Sequence, residues 1–349
     1  MNASHVGDVG ERALVAAIRA RIDAAGPPVA SPDVPLALGD DTAILSPSGA
    51  LCWTLDAVSA GNDWLIEHTP PAAVGHRAAA VNLSDLAAMG ARPAWLLLGL
   101  ELDPGSRVDA VLEGVDGLLA LAGRHGARVV GGDVGIRRGP DTWTVTALGH
   151  APAHPFRRDA ARAGDRVWLI GAVGMAALGL QLLQRQESGL ADGWRGEAVR
   201  AHRWPEPRCA AATALAERPE RIAAIDLSDG LGVDAARLAD ASHVHLALHL
   251  DALPWLPEPA RSDAERLGLD WRRAVAAGGD DYALLICAPP GLDVAALSGA
   301  ADALPIGVAG EGVGVSLHLL GATADALLGG HEHGGESAAP ALVAPRASR

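Results

Sequence analysis

The sequence predicts an α/β (α+β) protein built from two domains. Its length of 349 residues is about twice the usual size of one domain. Short apolar runs of strand length alternate with segments of helical apolar spacing. A composition shift at 151–164 (APAHPFRRDAARAG) reads as a linker. The domains are therefore expected at 1–150 and 151–321, followed by a disordered tail at 322–349, rich in Ala, Gly and Pro.

The first helix is expected over 7–25, where Leu14, Val15, Ile18 and Ile22 share one face. A Pro-rich stretch at 27–35 leads to the turn Gly39-Asp40-Asp41 and a short strand at 43–45. Residues 51–55 (LCWTL) read as a strand ending at Asp56, and 72–89 as a helix with Gly90 as its C-cap. A buried strand is expected at 94–102, a helix at 107–124, and strands at 127–131 and 142–149 around the turn GGDVGIRRGPD. After the linker come a strand at 166–170, a helix at 174–186, a strand at 222–227 and a helix at 231–240. Strands at 245–250 and 282–288 end the pattern. The glycine turn 171–174 has the look of a nucleotide-binding turn, although such spacing more often serves ordinary packing.

Composition excludes several functions. A net charge of −14 opposes general nucleic-acid binding, which needs a basic surface. Cys52, Cys209 and Cys287 form no CxxC pair, against a structural zinc or a disulfide framework. No apolar stretch reaches the length of a membrane span, and no signal peptide is visible, so a cytoplasmic protein is expected. All 28 basic residues are arginine. A P-loop, a protein-kinase strand lysine and Schiff-base chemistry all require an amine that this chain lacks. Positive charge for any phosphate chemistry must come from metal ions, arginine or backbone N–H groups.

Aspartates recur beside glycine or hydroxyl residues at strand ends: Gly39-Asp40-Asp41, Thr54-Leu55-Asp56, Asn82-Leu83-Ser84-Asp85, Gly131-Gly132-Asp133, Asp226-Leu227-Ser228-Asp229 and Gly278-Gly279-Asp280-Asp281. Singly, each is ordinary turn or helix-cap chemistry. Together, in a chain without lysine, they suit magnesium ions held on nucleotide phosphates. Asp85 lies in an otherwise apolar helix and shares a face with Asn82. A cation there would offset the cost of burying a carboxylate, and pairing with Arg77 or Arg92 is the alternative.

The segments GDDTAIL (39–45), NLSDLAAMGARP (82–93), VVGGDV (129–134), IDLSDGL (225–231) and GGDDYALL (278–285) resemble the thiamine-monophosphate kinase family, within the superfamily of aminoimidazole ribonucleotide synthetase. The agreement runs in order over about 7–320. It implies an aminoimidazole ribonucleotide synthetase-like fold whose N-terminal domain forms a homodimer interface, with ATP and several Mg²⁺ in a cleft between the domains. By position, Asp41, Thr54, Asp56, Asp85, Asp133, Asp226 and Asp229 match metal ligands. Asp40 stands beside Asp41, and Leu55 offers only its backbone oxygen. Gly132, Arg158 and Ser228 match nucleotide contacts, with Arg157 equally placed as Arg158.

On the acceptor side the chain departs from the family. The substrate-side His is Asp63, the following Phe is Trp64, the Glu of GGEDYEL is Asp280, and the aromatic near the C-terminus is missing. The implied reaction is ATP plus thiamine monophosphate giving ADP plus thiamine diphosphate, by direct transfer without a dedicated base, Asp133 and Asp226 acting through Mg²⁺. Asp63, Asp280 and Trp64 would meet the acceptor, Trp64 being equally suited to core packing. Another superfamily enzyme with a different acceptor, or a non-catalytic nucleotide-binding paralogue, are the rival readings.

Overall fold

The computed structural model describes residues 4–26, 32–38, 40–324 and 327–328. Its first half opens with helix α1 (Val6–Ala24) and continues through β1 (Leu51–Ser59), α2 (Pro71–Ala88), β2 (Arg92–Leu102), α3 (Val108–Arg124), β3 (Arg128–Ile136) and β4 (Thr142–His150). The four strands form one sheet in the order β1-β4-β2-β3, so β1 and β3 are its two edges. The helices cover one face, on which Val58, Leu98, Val145 and Ala147 are buried. The other face carries Trp53 and Leu55, which are 71% and 62% exposed.

Helix α2 is buried on almost every side, as expected of a helix lacking a polar face. It lies against the sheet, α3 and the second half of the chain. Small residues permit the closest of these contacts. A Cβ at Gly75 would come within 1.8 Å of the Gly114 carbonyl oxygen on α3. After Ala88 the helix ends on Gly90 in the left-handed region, with Ala91 N–H donating to Leu86 O, as the glycine cap predicted.

The second half comprises β5 (Arg166–Ile170), α4 (Met175–Gln184), α5 (Gly193–Arg203), α6 (Cys209–Ala216), β6 (Ala223–Leu227), α7 (Leu231–Ser242), β7 (His245–Leu250), α8 (Glu258–Arg266), α9 (Trp271–Ala277), β8 (Ala283–Ala288), α10 (Val294–Ser298), β9 (Ala303–Gly310), β10 (Gly314–Leu319) and β11 (Ala322–Thr323). Its sheet runs β11-β10-β7-β9-β5-β8-β6. The apolar core passes from Leu83 and Leu86 on α2 directly into Phe156, Leu215 and Leu284.

Several expectations need correction. Residues 43–45 form no strand; they make only the bridge Leu36↔Ile44, and Ala43 and Leu45 join a small apolar cluster with Trp95, Leu97 and Leu148 of the sheet. The strand at 282–288 is not the last, because β9, β10 and β11 follow it. Their glycines and short alternation hid them in the sequence. Residues 322 and 323, assigned to the tail, pair with β10. Most of that tail, with Gly39, lies outside the described residues. Asp56 and Asp133 sit inside strands rather than in turns, because β1 and β3 each extend several residues further than their apolar runs.

Gly132, expected as a turn or a nucleotide contact, lies within β3, where a Cβ would meet the Leu98 carbonyl oxygen at 2.0 Å. Gly132→Ala is therefore expected to push β3 off β2 and to cost about 1–3 kcal/mol, as overpacking does. A thermal melt would show this, and an unchanged midpoint would count against the contact.

Candidate active site

Three of the acidic motifs meet at α2. Asn82 caps the exposed edge of β1 by accepting the Asp56 N–H at 3.1 Å, while its own amide donates to Ala78 O. One turn further on, Asp85 accepts a hydrogen bond from the Thr54 hydroxyl. Between them, Ser84 Oγ donates to Asp226 Oδ2 at 2.8 Å, joining α2 to the end of β6. The motif NLSD thus ties α2 to β1 through Asn82 and Asp85 and to β6 through Ser84. The pairing of Asp85 with Arg77 or Arg92 does not occur, since Arg77 pairs with Asp280 instead.

Burial and like charge strain this group electrostatically. Burial, then the neighbouring Asp85 and Asp63 carboxylates, push Asp56 up to about 6. Burial, followed by the charge of Asp85, pushes Asp226 up to about 7, although Ser84 and Arg158 oppose the shift. Arg158 is thereby identified as the arginine facing the site. Arg157 is turned away and forms an ion pair with Asp159 at the surface. Arg158 also lines a cavity of about 220 Å³ with Thr54, Asp85, Cys52, Trp53, Leu86, Ala88, Met89 and Ala224. Its lining mixes the polar groups Thr54, Asp85 and Arg158 with apolar side chains.

The donors suit a magnesium ion: hard carboxylate and hydroxyl oxygens whose charge is uncompensated. Among the described residues no three or more His, Cys, Asp or Glu side chains converge to hold an ion by themselves. The fit is to an open shell, of the kind Mg²⁺ completes with water and phosphate oxygens.

Other expected members stand apart. Asp133 pairs with Gly99 on β2, whose row continues through Thr144 to Ala57; Asp56 lies in the adjacent row, with Val145, Leu98 and Gly132. Asp133 and Asp56 therefore sit at opposite edges of the sheet, about 14 Å apart from three strand spacings, and on opposite faces. One chain cannot bring them together. Asp40 and Asp41 are exposed, with Asp41 N–H capped by the Asp40 carboxylate. The Leu55 side chain is on the uncovered sheet face. Asp229 is paired with Arg237, and the nearby turn is fixed by Asp234, which accepts the N–H groups of Asp229 and Gly230. Ser228 does not cap the following helix, whose N-cap is Gly230; its carbonyl instead accepts the Asp280 N–H at 2.8 Å.

On the acceptor side, Asp63 accepts the Ser59 N–H at 2.7 Å. Trp64 is 6% exposed and packs in the core, so its ring serves packing and is not presented to a ligand. Burial disfavours the Asp280 carboxylate, but the Arg77 guanidinium and further hydrogen bonds outweigh it and hold the group below the usual range. The glycine turn 171–174 is filled by the chain itself. Asp281 accepts the N–H groups of Gly174 and Ala176 at 2.6 and 3.1 Å, which leaves no room for a phosphate. Ser84 and Asp281 stand within acidic motifs singled out from the sequence, and Arg77 was weighed only as a partner of Asp85, but their roles here were not assigned. Each is polar within an apolar or glycine-rich run, which was the available signal.

Residues 39–151 match the family described as AIR synthase related protein, N-terminal domain. Thiamine-monophosphate kinase from Synechococcus elongatus is 37% identical over 261 residues, 72% of this chain and 77% of that protein. The enzyme of that name from Salmonella typhimurium is 37% identical over 262 residues, 74% and 77% of the two chains. Among solved structures, thiamine-monophosphate kinase from Stenotrophomonas maltophilia superposes with a TM-score of 0.74 at 34% identity, covering 88% of this chain and 96% of that one. AaThiL, solved in complex with AMPPCP and TMP, gives 0.70 at 28% identity, covering 93% and 98%. With its acidic strand ends gathered on α2 and these likenesses spanning both halves, the chain belongs to the thiamine-monophosphate kinase family.

Proposed function

We propose that this protein is a thiamine-monophosphate kinase that transfers the γ-phosphoryl group of ATP to thiamine monophosphate, giving ADP and thiamine diphosphate. The observation that carries the reading is the meeting of Thr54, Asp56, Asp85 and Asp226 beside Arg158 in a chain without lysine. Thr54, Asp56, Asp85 and Asp226 would hold magnesium, which on the nucleotide phosphates supplies the charge neutralisation that a lysine supplies elsewhere. Arg158 adds a fixed positive charge at the same place, and Ser84 orients Asp226. In the transfer, an oxygen of the acceptor phosphate bonds to the γ-phosphorus as the bond to the ADP oxygen breaks. That acceptor has a second pKa near ~6, so it is largely ionised at neutral pH and needs no base. Asp63 and Asp280 would face the cationic ring of the acceptor.

The same reading takes residues 1–150 as one domain and residues from 151 through β11 as the other, and the enzyme as a homodimer built on the N-terminal sheet. Trp53 and Leu55 support it, being large apolar side chains left uncovered on one sheet face. A second copy against that face could bring Asp133 of the partner subunit toward the β1 edge, resolving its distance from Asp56. Three cysteines without a disulfide among them suit a cytoplasmic location. Among the described residues no helix is long and apolar enough to cross a membrane.

The test is ADP release by the purified protein with Mg·ATP, with and without thiamine monophosphate, and chromatography for thiamine diphosphate. Acceptor-dependent ADP release with matching thiamine diphosphate is expected. ATP binding without turnover on this acceptor would reject the assignment.

A further inference from the structure

The site leaves one buried charge without a role. Arg77 lies on α2 two turns before Asp85, and its side chain is 3% exposed. Nη1 is 2.9 Å from Asp280 Oδ2. Nη2 donates to the backbone carbonyl of His202 and approaches Nδ1 of the same residue at 3.4 Å. Burial and the charge of Arg77 push His202 down to about 4, so its ring is neutral and can only accept from the guanidinium at Nδ1. One arm of the arginine is therefore fixed at the end of α5, leaving the other to hold Asp280.

The loop that carries Asp280 needs such a hold. Asp280 and Tyr282 adopt left-handed backbone angles, with φ of 67° and 49°, a conformation that disfavours residues other than glycine. Strain of this kind persists where the surroundings over-determine it, and it gathers at ligand sites. The Asp280 and Tyr282 N–H groups bond to Ser228 O and Leu227 O at 2.8 and 2.9 Å, and the Tyr282 hydroxyl donates to Asp280 Oδ1 at 3.2 Å. Despite these ties, the Asp280 side chain remains 37% exposed. A guanidinium can hold a carboxylate with one arm while its other arm is anchored elsewhere, whereas an ammonium is a single point charge.

We propose that Arg77 is a positioning residue of the acceptor site: from beneath the 278–282 loop it fixes the Asp280 carboxylate so that its open side faces the cationic ring of the acceptor. This rests on the kinase reading above. Because α2 also carries Ser84 and Asp85, one helix then sets the acceptor loop and the nucleotide side relative to each other.

A double-mutant cycle tests it. Arg77→Met is expected to lower kcat/KM for thiamine monophosphate about 10- to 100-fold when Asp280 is present, and by no more than about 3-fold in an Asp280→Asn background. KM for ATP stays within about twofold throughout, and Arg77→Lys falls between Met and the native residue. Equal losses in both backgrounds, or a parallel rise in KM for ATP, would overturn the role. Should Arg77→Met fail to fold, the cycle of Arg77→Lys with Asp280→Asn is read the same way. A native enzyme without turnover on thiamine monophosphate would overturn the function and this inference together, whereas an active native enzyme without coupling overturns the inference alone.

Discussion

Asp226→Asn abolishes turnover, lowering kcat by at least about 10³-fold, the scale on which preorganised electrostatic groups act in phosphoryl transfer. The same substitution is expected to stabilise the metal-free protein at pH 8. Asp226 is 4% exposed and is pushed from 3.8 to about 7, first by burial and then by Asp85. Its folded pKa thus lies above its unfolded one, so the native state holds the extra proton. Stability falls as pH rises from about 4 to about 7, and the full penalty applies above that. At about 1.4 kcal/mol per unit, the upper bound is roughly 4 kcal/mol, part of which relaxation will remove. The measurement is a thermal melt in EDTA at pH 5 and pH 8. The native protein should melt lower at pH 8, the variant should lose only part of that dependence because burial also raises Asp56 and Asp281, to about 6 and about 8, and added Mg²⁺ should raise the native midpoint at pH 8. A variant that is destabilised at pH 8, or still active, would separate Asp226 from the site.

Mixing two inactive variants restores activity if Asp133 acts across a dimer. Asp133 lies about 14 Å from Asp56 within one chain, from three strand spacings, and points to the opposite face. In a heterodimer of Asp133→Asn with Asp226→Asn, one site combines Asp226 of the first subunit with the Asp133 of the second, and both are native. The other site carries both defects. Random exchange in an equal mixture would recover about a quarter of native activity, since half the dimers are mixed and each has one working site of two. No recovery after verified subunit exchange would mean that Asp133 serves its own chain or no site at all.

The fold was legible wherever periodicity was unambiguous. The alternation of LCWTLDAVS, the glycine stop after α2 and the boundaries of β5 and β7 follow from local sequence. The strands after β8 were not legible, because β9 and β10 carry glycines and are held by neighbours far along the chain. Segment 43–45 shows the converse: its apolar side chains pack with those of the sheet while its backbone makes only one bridge, so an apolar run need not become a strand. Trp64 illustrates the same limit for the site, since an aromatic beside an acidic loop serves core or ligand according to burial alone.

By itself, the sequence determined that any phosphate chemistry in this protein works without lysine, and that aspartates recur beside glycine or hydroxyl residues along the chain. Residue type and local spacing suffice for that, because charge and turn chemistry are properties of a few adjacent residues. Only the tertiary structure decided which carboxylates share a neighbourhood. Asp56, Asp85 and Asp226 gather on α2, Asp133 is carried away by the strand order, and Asp280 is claimed by Arg77. Those outcomes depend on sheet register and helix packing between residues scores of positions apart, and no local pattern records them.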